Sequence, residues 1–207
     1  MKLRNPLVLH HITLQRGVSF TLNPTMETKE DPGLENLNTD LLVLTQMSGA
    51  KMSHGMCKID ALLAGKLSES IEESGFTGKA GQSVLLDSGS LGSKQKWILL
   101  IGLGDVPHFN GRTVCAMMRL VLEVADEKKV TKITMPIFPN RQTEDELNLA
   151  GTAATLVCRV NMFAAQLPEL KEVELFCTPQ ARRHLQDGLF GKTPRCMVCL
   201  NPELGTA

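Results

Sequence analysis

The chain has 207 residues, 43% of them hydrophobic, with 22 Lys plus Arg balanced by 22 Asp plus Glu. A chain of this length buries roughly 70% of the surface that its unfolded form exposes, so it needs neither disulfides nor a structural metal, and wholesale disorder is excluded. Zero net charge leaves no overall field for nucleic acid or an anionic membrane, and seven Phe, one Trp and no Tyr offer no base-stacking platform.

No apolar run reaches membrane-helix length, residues 1–6 lack a secretory-signal pattern, and six scattered cysteines suit a reducing interior. A cytoplasmic protein without membrane association is therefore expected. In chain order, residues 7–9 and 18–22 read as strands around a turn at Gly17, with Val18, Phe20 and Leu22 alternating with polar positions. Residues 25–39 are polar, contain Pro32-Gly33 and read as a mobile loop. Residues 40–45 form a buried strand. From 58 to 74, Ile59, Leu62, Leu63, Leu67 and Ile71 recur at helical spacing, and Gly75 marks the stop.

Strands follow at 83–86 and 97–101, separated by a Ser/Gly-rich turn at 87–93; the second is apolar throughout, as a strand covered on both faces must be. Asn110 is placed to cap a helix running to about residue 128, with Val114, Met117, Met118, Val121, Leu122 and Ala125 as its apolar stripe. After a strand at 132–137, Thr143-Glu144-Asp145-Glu146 reads as a capping box opening a helix to about Gln166. A last strand at 173–177 leads through Thr178-Pro179 into a helix carrying Ala181, Leu185 and Leu189. The alternation implies right-handed crossovers and a three-layer α/β fold, a mostly parallel or mixed central sheet with helices on both faces. Residues 1–191 are expected to form one domain and 192–207 a tail.

Ligands in such sheets bind beyond the carboxyl ends of the strands. Gly102 and Gly104, directly after a buried strand and followed by Arg112 in the next helix, either bring backbone amides to an anion or simply make a tight strand exit. Asp105 opposes an anionic ligand. Cys196 and Cys199 form a Cys-x-x-Cys without the second pair that a zinc site needs. Among the histidines, only His54, beside Gly55, stands where a cleft is expected, and a plain surface histidine is the competing reading. Glu144, Asp145 and Glu146 complement a helix dipole rather than form an acid catalyst. No nucleophile and base pair, metal-ligand set or cofactor motif is present in the pattern. The candidate ligand-binding residues are Thr45, Gln46, Ser48, Gly49, His54, Gly102, Gly104, Asp105, Arg112, Asn140 and Arg141, drawn from three post-strand segments that should converge.

Three segments carry a family resemblance: Ile59-Asp60-Ala61-Leu62-Leu63-Ala64-Gly65, Phe76-Thr77-Gly78-Lys79-Ala80-Gly81-Gln82, and the run from Trp97 to Asp105. Over about residues 40–163 the chain resembles the N-terminal domain of the leucyl aminopeptidase family, which has a macro-like scaffold. The resemblance implies a non-catalytic domain, because that family keeps its two-metal peptidase site in a second, C-terminal domain. This chain is expected to stand without that domain, with no cofactor and no peptidase activity of its own. Asn38-Thr39-Asp40 echoes a metal-binding fragment but lacks the rest of the motif and leads into a strand.

Two details depart from typical macro domains. Gly17 is followed by Val18 rather than Asp, and Leu44-Thr45-Gln46-Met47 replaces an Asn-rich segment; both speak against adenine recognition and ADP-ribose hydrolysis. The expected roles are an assembly or regulatory module, partnered by a second copy or a full-length aminopeptidase, or a module for a nucleotide or ADP-ribose-type ligand. It is alternatively the non-catalytic half of a split aminopeptidase. DNA binding, which the family also implies, is opposed by the neutral charge.

Overall fold

The apolar runs at 41–44, 97–101 and 173–177 are the parts of the chain that most need covering, and they lie in the sheet interior. The computed structural model describes residues 11–13, 17–23, 38–89, 95–138 and 147–190. Among these, seven strands form one mixed sheet: β1 (His11–Thr13), β2 (Ser19–Asn23), β3 (Leu41–Met47), β4 (Ser83–Asp87), β5 (Trp97–Gly104), β6 (Lys132–Pro136) and β7 (Glu172–Phe176). Their order is β1-β2-β7-β6-β3-β5-β4. The five inner strands run parallel, while β1 on β2 and β4 on β5 are antiparallel edges.

Strands β3 and β5 present apolar residues to both sides, because helices cover both, whereas β2 and β6 bury theirs on one side only. Leu41, Val43, Leu99, Ile101, Ile133, Met135, Val173 and Leu175 share a core with α3 (Gly111–Glu127), α4 (Leu149–Phe163) and α5 (Pro179–Phe190). Leu42, Leu44, Ile98, Leu100 and Phe176 face the opposite way, against Met56, Ile59, Leu63 and Leu67 of α1 (His54–Leu62), α2 (Lys66–Glu73) and their junction. The three-layer α/β arrangement is therefore the one the sequence predicts.

The helix expected over 58–74 is two helices. Ala64 and Gly65 take left-handed φ values of 53° and 87°, and α2 restarts at Lys66. Asp60 stabilises the restart, accepting from the Ser68 amide at 2.9 Å and the Ser68 hydroxyl at 2.5 Å. The chain also enters α1 earlier than expected, at His54, with Ser53 accepting from the Met56 amide. At α3 the expected cap forms: Asn110 accepts from the Arg112 and Thr113 amides, and Thr113 Oγ1 accepts from the Asn110 amide. Helix α4 starts later than expected, because Asn148 caps it through the Gly151 amide at 2.7 Å. The Thr143–Glu146 box, the strand at 7–9, most of the 25–39 loop, Cys196, Cys199 and the 192–207 tail lie outside the described residues.

Two carboxylates join strands. Asp40, just before β3, accepts from Lys96 Nζ at 2.7 Å, from the Thr131 and Lys132 amides at 2.9 and 3.1 Å, and from the Thr131 hydroxyl. Partial burial opposes its charge, but the bonds from Lys96, Thr131 and Lys132 outweigh it and hold the carboxyl at about 2, below its ordinary 3.8. Glu174 of β7 accepts from Asn23 of β2 at 2.8 Å and Thr134 of β6 at 2.9 Å, and pairs with Lys132 at 3.1 Å. That carboxylate is nearly buried, so its partners replace the water it gives up.

Candidate functional site

Strands β3 and β5 lie side by side, so their carboxyl ends bring two of the expected post-strand segments together. The register shifts there: Gln46 faces Gly102 but Met47 faces Gly104, leaving Leu103 as a bulge. The segment 76–82 lies across this end. Gly78 sits with φ 81°, and a Cβ on it would stand 2.4 Å from the Met47 carbonyl oxygen. A Cβ on Gly102 would stand 2.1 Å from the Lys79 carbonyl oxygen. Both contacts are possible only for glycine, because backbone cannot move aside as a flexible side chain can.

Backbone hydrogen bonds lock the segment down. The Gly102 amide donates to Gln82, the Gly104 amide to Gly78, the Ser48 amide to Gly104 and the Gly49 amide to Thr77, at 2.9 to 3.0 Å. Gln82 organises the loop from within: its Oε1 accepts from the Thr77 amide, the Thr77 hydroxyl and the Lys79 amide, and its Nε2 donates to the Gly75 carbonyl. The four amides at Ser48, Gly49, Gly102 and Gly104 are thus committed to protein carbonyls, and both glycines lie within β5 rather than after it. The sequence signal for this closure is the Phe-x-Gly-Lys-x-Gly-Gln run itself, although nothing local shows what it packs against.

Thr45 lies on β3 opposite Ile101 and is half-buried. Gln46 points to the other face, where Nε2 donates to the Ala50 carbonyl at 2.7 Å; its buried Oε1 finds no hydrogen-bond partner in the structure among the described residues. His54 opens α1 and is exposed. Asp105 is exposed and faces His108 at 3.8 Å, a surface contact worth little. Arg112 lies in the first turn of α3 and is half-buried. Asn140 and Arg141 lie outside the described residues, so the third expected segment is described only through Pro136 to Phe138.

Among the described residues, no group of three or more His, Cys, Asp and Glu could hold a metal. No helix among them is long and apolar enough to cross a membrane. An open cleft of about 300 Å³, lined by Asn148, Leu149, Ala150 and His184, lies between the start of α4 and α5. The sequence reading did not anticipate it, because it depends on how two helices distant in sequence cross. The Cys177 thiol, just after β7, is pushed up to about 11 by burial, with Arg182 pulling slightly the other way.

Residues 43–162 match the family model described as the cytosol aminopeptidase family, N-terminal domain. The "Probable cytosol aminopeptidase" of Synechocystis is 30% identical over 135 residues, covering 62% of this chain and 26% of that protein. The "Neutral leucine aminopeptidase, chloroplastic" of Solanum lycopersicum is 53% identical over 97 residues, covering 47% of this chain and 16% of that protein. The chain therefore spans about a quarter or less of these curated relatives. Among solved structures, an Oceanobacillus iheyensis macrodomain with ADP superposes with a TM-score of 0.59 at 13% identity, covering 87% of this chain and 94% of that one. That likeness establishes the macro-like fold.

Proposed function

Because the chain belongs to the cytosol aminopeptidase family through that family's N-terminal domain, we propose that it works as a non-catalytic assembly or regulatory module, associating with a second copy or with a full-length aminopeptidase. The observation that carries this reading is the packed carboxyl end of β3 and β5. Backbone amides that would greet an anionic ligand there donate to Gln82, Gly78, Thr77 and Gly104 instead. A cytoplasmic setting is part of the proposal, and the chloroplast relative makes an organelle its alternative.

Light scattering on the chain alone, and on its mixture with a full-length aminopeptidase, tests this reading. A species heavier than the monomer, or a mixed complex, is expected. A monomer under both conditions would overturn the assembly role. Leucyl substrates supplied with zinc or manganese should not be turned over by the purified chain, and turnover that persists after contaminants are removed would refute the non-catalytic reading.

One observation favours a second reading, a nucleotide-type ligand: the buried Gln46 Oε1 at this same end lacks a donor in the structure among the described residues, and the fold is shared with a macrodomain captured with ADP. Calorimetric titration with ADP and ADP-ribose separates the two. No heat up to millimolar ligand is expected, whereas saturable binding would move the proposal to the second reading.

A further inference from the structure

Helices α3 and α4 pack together on one face of the sheet, and a small cluster of their own joins Cys115 of α3 to Cys158 of α4. Cys115 is buried and Cys158 is partly exposed. Both are thiols in the structure, and their side chains are already in contact. Arg159, the residue after Cys158, aims its Nε–H at Cys115 Sγ from 2.6 Å. A guanidinium beside a sulfur favours the thiolate, which is the nucleophile in disulfide exchange.

We propose that Cys115 and Cys158 form a reversible redox pair, a modification site that cross-links α3 to α4 when a small disulfide such as oxidised glutathione accumulates. This inference is independent of the assembly reading. Cys158 is the point of entry because it is the more exposed of the two. Its thiolate attacks one sulfur of the small disulfide, the S–S bond of that molecule breaks, and one glutathione thiolate leaves to take up a proton. Cys158 now carries a mixed disulfide. Cys115, whose sulfur lies beside the Arg159 guanidinium, gives up its proton and attacks the Cys158 sulfur; the mixed bond breaks, the Cys115–Cys158 bond forms, and the second glutathione leaves. Two protein thiols lose two electrons and two protons, and one small disulfide is reduced to two thiols.

The experiment treats the full chain with oxidised glutathione under native conditions, quenches with N-ethylmaleimide and maps the peptides by mass spectrometry. Exposed Cys57 reports that the reagent was active. A cross-linked Cys115–Cys158 peptide that dithiothreitol removes is expected, together with a rise in the urea midpoint of the oxidised chain that reduction reverses. Cys115→Ser should halt the reaction midway and accumulate glutathione on Cys158. Cys158→Ser should slow oxidation of Cys115 by about tenfold or more, since the buried sulfur loses its relay. The proposal is overturned if Cys57 is fully converted while no Cys115–Cys158 peptide forms, if Cys115→Ser leaves Cys158 unmodified, or if Cys158→Ser leaves Cys115 oxidation as fast as before. The wild-type urea midpoint keeps the test decisive should either variant fold poorly, and an unchanged midpoint in the cross-linked chain would refute the clamping of α3 to α4.

Discussion

Replacing Asp40 with Asn removes one charge and leaves the shape of the side chain intact. In the wild type this carboxylate collects Lys96 Nζ, two backbone amides and the Thr131 hydroxyl, joining the chain before β3 to the approaches of β5 and β6. The native carboxyl titrates at about 2 against an ordinary 3.8. At 1.36 kcal/mol per unit, that difference corresponds to about 2.5 kcal/mol of stability. Lys96 is 70% exposed, so solvent screens part of the attraction, and ~1 to 2 kcal/mol is the expected net cost of the substitution.

The pH dependence has a definite sign. A depressed carboxyl contributes its full stability above the unfolded value of 3.8 and loses it as the pH falls toward about 2, where the native carboxyl takes up a proton. Urea unfolding of wild type and Asp40→Asn near neutral pH should therefore differ by ~1 to 2 kcal/mol, and the gap should narrow steadily through the acid range. A gap of unchanged size at every pH would mean that the charge is not what Asp40 contributes. No gap at neutral pH would refute the linkage altogether.

Gly102→Ala should destabilise the chain by ~2 to 4 kcal/mol, because its Cβ lands 2.1 Å from a backbone oxygen. Gly104→Ala should cost less, ~1 to 2 kcal/mol, since it meets chiefly the Ala80 side chain at 3.0 Å and pays mainly for a φ of 78°; equal urea midpoints for the two variants would contradict the packed strand exit. In the folded protein, Ellman's reagent should label exposed Cys57 promptly and leave Cys177 untouched until denaturant is added, because burial holds that thiol at about 11. Labelling of Cys177 at the rate of Cys57 in native buffer would show that this thiol is open to solvent.

What was legible in the sequence follows what is local. Period-two and all-apolar runs located β2 through β7 to within two or three residues, because a strand with one apolar face alternates and a strand covered on both faces is apolar throughout. The break between α1 and α2 was not legible: Ile59, Leu63 and Leu67 keep a spacing of four on either side of Ala64-Gly65, so periodicity alone reads straight through the left-handed pair. Asn148 took over the start of α4 for a related reason, since more than one residue upstream of the helix has a side chain able to cap it. At the candidate site, Gly102 and Gly104, read as following a strand that ends at Ile101, are instead the last stretch of that strand: β5 runs on to Gly104 and stays paired with β3. Their occupant, the 76–82 segment, was hidden because its contacts with β3 and β5 come from distant parts of the chain.

The place of β2 in the sheet sets the order in which this protein can be made. Its long-range neighbour is β7, and Ser19 donates to the Lys171 carbonyl across a sequence separation of 152 residues. A ribosome releasing the chain from its N-terminus therefore delivers β2 long before the strand that completes it, while β3, β4 and β5 can already pair. Until β7 emerges, the open side of β2 and its apolar Phe20 and Leu22 have no native cover from that strand. Folding is thus slow to close by construction, with a strand made early among the last to be seated.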